Sequence, residues 1–126
     1  MEFGNKKSIF LQIADNISER IMEGKYPLFE KIPSVRDLAI ELGVNPNTIM
    51  RTYSKLQSDG ILETRRGMGF YVAGDAKNII IAQNKKLFFE TDLPRIARQA
   101  EMLSITFEEI KPFFERKNYS DYNEDK

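Results

Sequence analysis

Four polar residues in the middle of the chain combine the side-chain chemistry and the spacing that nucleic-acid recognition needs. These residues are Asn47, Thr48, Arg51 and Lys55. On a helix, where each residue advances by about 100°, they fall on one side, and the apolar Ile49, Tyr53 and Leu56 fall on the other. Because amide, hydroxyl, guanidinium and ammonium groups occur there without a carboxylate, this side can meet DNA phosphates and base edges in a major groove.

Each of these residues also has an ordinary structural interpretation. Asn47 and Thr48 are common first-turn residues, and Arg51 could be a charged residue on a solvated helix face. No acidic residue lies three or four positions from Arg51 to form a local ion pair, which favours DNA contact. The N-terminal end of a recognition helix usually meets the bases, and this favours contact by Asn47 and Thr48.

A second basic cluster lies between two short apolar segments, residues 61–64 and 70–72. These segments predict the strands of a β-hairpin. The residues at its tip are Arg65, Arg66, Gly67, Met68 and Gly69. The glycines let the backbone approach a duplex, and the arginines can pair with phosphates or enter the minor groove. Beside a DNA-reading helix, such a tip is a wing.

Capping signals place the DNA-reading residues on the second of two closely joined helices. Ser34 and the carboxylate three residues later form a capping-box pattern, and Gly43 supplies a left-handed end to that helix. Asn45 is a good N-cap, and Pro46 suits the first helical position of a helix over residues 46–59. Two helices joined by so short a turn must cross steeply, as in a helix-turn-helix.

An amphipathic helix precedes this pair, from Ser8 towards a stop at Gly24. Its apolar residues at helical spacing are Phe10, Ile13, Ala14, Ile17 and Ile21. We expect it to close a three-helix core. The fold class predicted is therefore mainly α with a small β-hairpin, namely a winged helix-turn-helix over residues 8–75, followed by a short helical segment.

That following segment, residues 76–117, is too short to form a core of its own. We predict one helix over residues 79–89, then a second helix capped by Thr91 or Asp92. Thr106 and Glu109 form another capping box, after which Pro112 should kink or shorten the last helix. Residues 118–126 are charged, and we expect them to be disordered.

The helical segment carries an apolar stripe that must be buried against something. We assign to dimerisation Phe88, Phe89, Leu93, Ile96, Ala100 and Leu103. The stripe could cover the winged helix of its own chain, or it could pair with a second copy. Self-association is the more economical interpretation, because a two-fold protein matches a palindromic operator.

The composition argues against several classes of function. The 126 residues include no cysteine and no histidine, which removes disulfides, thiolate nucleophiles and the commonest metal ligand and base. No glycine-rich phosphate loop follows a strand. We therefore expect no enzymatic activity, no catalytic residue, no metal site and no cofactor. The longest apolar run, residues 79–82, is far too short for a membrane span.

The formal net charge of zero is unusual for a nucleic-acid-binding protein. Residues 31–74 hold six basic and four acidic side chains, a net charge of +2, and the basic groups concentrate on the predicted docking face. The neutral total nevertheless favours an alternative hypothesis, in which the winged helix is a protein–protein assembly module without specific DNA readout.

Several of these motifs together resemble the GntR family of bacterial transcription regulators. The matching motifs are Pro-Ser-Val-Arg-Asp-Leu-Ala at 33–39, Leu-Gly-Val-Asn-Pro-Asn-Thr at 42–48, Asp-Gly-Ile-Leu at 59–62 and Arg-Arg-Gly-Met-Gly at 65–69. With its short tail, the chain looks most like the YtrA-type subfamily. This resemblance covers about residues 8–75 strongly and the remainder loosely.

The resemblance implies a DNA-binding transcription regulator. We expect a homodimer on double-stranded operator DNA that represses by blocking promoter access, and the lack of cysteine fits a cytoplasmic location. The resemblance also implies that Arg36 reaches the DNA, although Arg36 could simply pair with Asp37 or Glu41. We place Asn45 in the same DNA-binding set. Many GntR proteins couple DNA binding to a small-molecule effector, which here would bind between the tail helices or at the dimer seam.

Overall fold

The structure, a computed structural model, describes residues 7–115. The described chain divides into two compact units, residues 7–84 and residues 85–115. The predicted disordered end, residues 118–126, lies outside the described residues, as do the last two residues of the predicted tail. No helix within residues 7–115 is long and apolar enough to cross a membrane.

Six α-helices and one β-hairpin make up the described chain. They are α1 (Ile9–Met22), α2 (Val35–Leu42), α3 (Pro46–Ser58), β1 (Leu62–Arg65), β2 (Gly69–Val72), α4 (Ala76–Leu87), α5 (Leu93–Met102) and α6 (Phe107–Ile110). A π-helical turn, Phe88–Asp92, separates α4 from α5, and a 3-10 turn, Lys111–Phe114, follows α6. The predicted winged helix-turn-helix is confirmed.

The caps of α2 and α3 are formed by the predicted residues. The Ser34 hydroxyl accepts the backbone N–H of Asp37 at 3.1 Å, and the Asn45 amide oxygen accepts the N–H of Asn47 at 2.8 Å. Gly43 ends α2 with φ of 67° in the left-handed region. In the described structure Ser34 and Asp37 form only this first bond of the capping box, without the reciprocal carboxylate bond.

The core of the first unit is built from the apolar faces of four helices and the hairpin. Its most deeply buried side chains include Ile13, Ile17, Ile21, Leu38, Ile49, Tyr53, Leu56, Ile61, Leu62, Val72 and Ile80. The Tyr53 hydroxyl donates to the carbonyl of Pro33 at 2.7 Å, and burial raises the pKa of Tyr53 well above its ordinary value. Tyr53 is therefore a neutral donor that ties α3 to the start of α2.

The hairpin is antiparallel, with Leu62 opposite Val72 and Arg65 opposite Gly69. Strand β1 begins and ends one residue later than the predicted 61–64, and β2 begins one residue earlier than the predicted 70–72. Three residues, 66–68, therefore remain at the tip. The segment before α2 joins β2, because Ile32 donates its backbone N–H to Phe70 at 3.0 Å. The wing is thus attached to the helix-turn-helix through backbone hydrogen bonds.

The predicted helix start at residue 79 and the predicted cap at Thr91 or Asp92 are both wrong. Helix α4 begins at Ala76, which is fully buried in the core with Ile80. Asp92 has helical angles (φ −69°, ψ −48°) and makes no side-chain cap bond, so the chain passes through the π-helical turn into α5. The cause is Pro94, whose missing N–H and bulky ring are incompatible with a regular α-helical turn before it.

The end of the described chain follows the prediction more closely. Thr106 and Glu109 form both bonds of a capping box. Helix α6 is a single turn, and Pro112 lies in the 3-10 turn that follows it. The predicted shortening of the last helix by Pro112 is confirmed.

Candidate nucleic-acid interface

The outward side of α3 carries the predicted polar residues. Asn47, Arg51 and Lys55 are exposed, whereas Thr48 is half-buried towards the core. The opposite side of the helix is buried through Ile49, Thr52, Tyr53 and Leu56. Packing of that side against α1 and α2 therefore fixes which groups α3 presents to solvent.

Arg51 has a partner that the sequence pattern did not reveal. Its guanidinium carbon lies 3.9 Å from the ring centroid of Phe10, a residue in the first turn of α1. A guanidinium stacked on a ring keeps its N–H groups, which lie in its own plane, available for other acceptors. Arg51 is thus restrained without losing its capacity to donate to a base or a phosphate.

Thr52, the residue after Arg51, joins the same two helices from inside. Its fully buried hydroxyl lies 3.0 Å from the carbonyl oxygen of Phe10 and 2.9 Å from that of Thr48. The single hydroxyl hydrogen is shared between these two carbonyls, so the hydroxyl links the start of α1 to α3 while it also bonds within α3. Thr52 was not among the predicted DNA-binding residues. Its buried hydroxyl instead helps to orient the outward side of α3, which carries them.

Lys55 is engaged in a local ion pair. Its ammonium lies 2.7 Å from the Asp59 carboxylate, one helical turn further along α3. The pairing is at the C-terminal end of the helix, where a cation is also favoured by the helix dipole. Among the α3 residues predicted to bind DNA, Lys55 therefore has the strongest competing structural role.

The wing presents its two arginines differently. The Arg65 guanidinium lies 4.0 Å from the ring centroid of Tyr71 and 3.7 Å from the Glu63 carboxylate. Arg66, at the tip, makes no ion pair or ring contact with any residue of the described range. Gly67 has a φ of 70°, which the tight turn requires and which a residue with a side chain adopts only at a cost.

The remaining predicted residues, Gly69 of the wing and the two helix-start residues Asn45 and Arg36, are all accessible. Asn45 is exposed, although its amide oxygen is occupied by the cap of α3. Arg36 is exposed in the first turn of α2, and the alternative in which it pairs with Glu41 is not realised, because Glu41 pairs with Arg20 at 3.0 Å. Within residues 7–115 Arg36 has no ion-pair partner and is available for a phosphate.

Met50 was not among the predicted site residues, yet it is 44% exposed on α3 beside Arg51. Ser54 is also exposed, one turn beyond Met50. On a helix wheel Met50 lies midway between the polar and apolar sides, and Ser54 lies at the edge of the polar side beside Asn47, so periodicity alone did not assign Met50. An exposed methionine there can contact a thymine methyl group, since apolar contact is how that base is distinguished.

In the second unit, the predicted dimerisation stripe is largely exposed. The exposed fractions are 38% for Phe88, 64% for Phe89, 38% for Ile96 and 61% for Leu103. Leu93 and Ala100 are partly buried, and the rings of Phe88 and Phe89 pack edge to face with centroids 5.4 Å apart. This unit displays an apolar surface.

The geometry is that of a winged helix with a polar recognition helix and a basic wing, and comparison with known proteins identifies its family. The sequence profile described as "Bacterial regulatory proteins, gntR family" matches residues 10–72. The chain is also 42% identical over 109 residues to the "Uncharacterized HTH-type transcriptional regulator YhcF" of Bacillus subtilis, covering 86% of this chain and 88% of that protein. This chain belongs to the GntR family.

Two further relatives place this GntR-family chain more closely. It is 31% identical to the "HTH-type transcriptional repressor YtrA" of Bacillus subtilis, over 81% of this chain and 78% of that protein. The crystal structure of a putative GntR-family regulator from Bacteroides thetaiotaomicron superimposes with a TM-score of 0.76 at 36% identity, covering 94% of this chain and all of that one. The chain is a YtrA-like, DNA-binding transcription regulator, and these relatives are regulators, not enzymes.

A structure with DNA also resembles the winged helix. The DNA-binding domain of AraR in complex with operator ORX1 has a TM-score of 0.51 at 31% identity, over 57% of this chain and 93% of that one. The alternative hypothesis of an assembly module without DNA readout therefore has no support from these relatives.

Proposed function

We propose that this GntR-family regulator is a cytoplasmic homodimeric repressor that binds a palindromic operator through α3 and the wing. The observation that carries this proposal is the outward side of α3, where Asn47 and the stacked Arg51 stand without a carboxylate between them. The predicted DNA-binding residues Arg36, Arg65 and Arg66 add cations on neighbouring elements. Their chemistry suits phosphate contacts that position the helix and base contacts that specify the sequence.

The homodimer is supported by the apolar stripe of the second unit. Its phenylalanines and Ile96 are too exposed for a protein that remains a monomer, since contiguous exposed apolar patches usually mark an interface. A second copy offers the same apolar stripe, which makes a two-fold interface self-complementary. Two copies would then present two recognition helices to two operator half-sites.

The proposal that the protein represses transcription rests on its occupancy of promoter DNA. A dimer bound across a promoter excludes other proteins from the same DNA, and the YtrA relative is named a repressor. If an effector controls the protein, we place its site between the tail helices or at the dimer seam. A metabolite bound there would raise the melting temperature of the dimer and change its affinity for DNA.

Fluorescence anisotropy with the protein's own upstream DNA and a scrambled duplex tests this proposal, at several salt concentrations. We expect a preference for the upstream DNA that persists as salt rises, with two protomers bound per duplex. Sequence-independent binding falls steeply with salt because it depends on phosphate contacts. Equal, salt-sensitive binding to both duplexes would contradict a specific operator reader.

Arg51 provides the sharpest mutational test of base reading. If Arg51 reads a guanine, Arg51→Ala should weaken operator binding by about 1–3 kcal/mol and relax specificity at one base-pair position. Arg51→Lys is the matched control, because lysine keeps the charge but lacks the bidentate fork. Affinity restored by Arg51→Lys with no position-specific change in discrimination in either variant, or an equal loss on random DNA, would make Arg51 a phosphate contact instead.

A further inference from the structure

Phe10 lies outside the helix-turn-helix and the wing, yet it is in contact with the predicted base-reading residue. It is half-buried in the first turn of α1, and it is not among the buried residues that form the core. Its ring lies directly beneath the Arg51 guanidinium, with 3.9 Å between the guanidinium carbon and the ring centroid. The ring is therefore in contact with a residue of the predicted DNA-facing surface.

The position of Phe10 is itself fixed by α3. The carbonyl oxygen of Phe10 lies 3.0 Å from the Thr52 hydroxyl, which is fully buried. Arg51 and Thr52 are consecutive: Thr52 bonds the backbone carbonyl of Phe10, and Arg51, the residue before it, lies on the ring of Phe10. Helix α3 therefore supplies one partner of the stack, Arg51, and also bonds the backbone of the other, Phe10.

An aromatic ring is a suitable restraint for a side chain that must bind DNA. A carboxylate would also hold the arginine, as Asp59 holds Lys55 at 2.7 Å. However, a carboxylate competes for the guanidinium and repels the phosphates, whereas a ring carries no net charge. Stacking occupies the face of the guanidinium and leaves its edge, with the N–H pair that recognises guanine, free to donate.

We propose that Phe10 is a positioning residue for base recognition by Arg51. In the free protein the ring holds the long arginine side chain close to its DNA-bound conformation, so less rotamer freedom is lost on binding. This inference rests on the proposed function, because it requires that Arg51 contacts a base. In the wing, Arg65 also lies over a ring, that of Tyr71, with 4.0 Å between the guanidinium carbon and the ring centroid, but unlike Arg51 it has a carboxylate, that of Glu63, at 3.7 Å.

The first measurement needs no DNA. We expect the Nε–H group of Arg51 to show restricted motion by ¹⁵N relaxation in the free wild-type protein and in Phe10→Tyr, and fast motion in Phe10→Leu. Leucine keeps an apolar side chain at the position but offers no π face to a cation. An Arg51 Nε–H that is already mobile in the wild type would overturn the inference, whatever the protein does on DNA.

The second measurement is operator discrimination at each base-pair position by anisotropy, with thermal unfolding as the folding control. Phe10→Leu should reduce discrimination between bases about 2- to 5-fold at one base-pair position. That position should be the one at which Arg51→Ala reduces discrimination roughly 5- to 150-fold. Phe10→Tyr should retain wild-type discrimination, because tyrosine also offers a ring face.

A double variant separates this inference from the proposed function. In the Arg51→Ala background, Phe10→Leu should cost no further discrimination, because the residue that it positions is absent. Full discrimination by Phe10→Leu, or equal losses at all positions, would overturn the positioning role while leaving Arg51 a base contact. No position-specific loss in Arg51→Ala would instead remove the base contact on which this inference rests, whereas equal binding of upstream and scrambled DNA by the wild type would contradict the proposed function itself. If Phe10→Leu does not fold, the positioning role is tested by the mobility of the Arg51 Nε–H group in the wild type and by the operator discrimination of Phe10→Tyr.

Discussion

Asn45 caps α3 and is also one of the residues predicted to bind DNA. Its amide oxygen caps α3 at 2.8 Å, while the exposed residue lies at the end of the helix that faces DNA in the proposed complex. Asn45→Ala should lower the free energy of unfolding by about 1 kcal/mol, because the cap is lost. Asn45→Asp should retain stability, since aspartate caps equally well, but should weaken DNA binding through repulsion of phosphates.

Urea unfolding and anisotropy on the operator measure the two effects separately. Ser34 offers the matched control, because it caps α2 with a bond of 3.1 Å to Asp37. Ser34→Asp should preserve stability in the same way, and a smaller loss of DNA affinity than in Asn45→Asp would locate the closer approach of DNA at α3. Unchanged DNA affinity in Asn45→Asp would remove Asn45 from the interface.

The residues of the candidate site could be predicted from local patterns, but their partners could not. Caps and helix faces depend on residues two to four positions apart, so Asn45, Gly43 and the outward side of α3 follow from the sequence. The Phe10–Arg51 stack and the bond between Thr52 and Phe10 join residues about forty positions apart, which only the folded chain brings together. The Lys55–Asp59 pair is the exception, because its spacing of four residues was a local signal that the prediction of Lys55 as a DNA contact did not use.

At the scale of elements, the wing is the part whose contribution to binding can be isolated. Arg66 lies at its tip, and within the described range it has no partner to compete with a phosphate. If it contacts one, Arg66→Ala should weaken binding to all duplexes alike and reduce the slope of log affinity against log salt by about 1. Anisotropy titrations at four or more salt concentrations measure this slope.

Lys25 is the matched control for the wing, because Lys25→Ala removes the same charge elsewhere. Lys25 follows the C-terminal end of α1, whereas Phe10, which contacts the recognition helix, lies in the first turn. The intervening helix separates them by about 20 Å. Equal slopes in Arg66→Ala and Lys25→Ala would show that net charge, and not a wing contact, determines the salt dependence.

The boundaries of the helices after the wing were less predictable than their existence. The start of α4 was predicted too late because the prediction followed the apolar run at residues 79–82. Ala76 is fully buried, but its small side chain adds little to the periodic pattern. Thr91 and Asp92, which come shortly before Pro94, resembled helix caps. The chain instead accommodates the proline with a π-helical turn, a geometry that no local pattern distinguishes from a new helix start.

At the scale of the whole molecule, a net charge of zero coexists with a DNA-binding surface because the charges are segregated. Residues 31–74 carry a net charge of +2 from six basic and four acidic side chains. Of those acids, Glu41 pairs with Arg20, outside that range, and Asp59 pairs with Lys55 at the far end of α3. Arg36 and Arg66 remain available, so the distribution of charge, and not the sum, determines what the surface can bind.

The proposed dimer belongs to the scale of the whole molecule, and the second unit offers a direct test of it. Ile96 belongs to the apolar stripe of α5 and is 38% exposed, so a dimer would bury it. Ile96→Glu should convert a dimer into monomers, because a charge without a partner is costly to bury in an apolar interface. Sedimentation velocity measures the change in mass.

Met102 is the matched control, because the same substitution there lies on the same helix. It is 85% exposed, and six residues from Ile96 it faces away from the stripe formed with Leu93 and Ala100. Met102→Glu should therefore remain dimeric and bind the operator as the wild type does. Ile96→Glu should bind one half-site weakly, because it loses the effective concentration that a linked second recognition helix provides. A dimer that survives Ile96→Glu would place the interface on another surface of the chain.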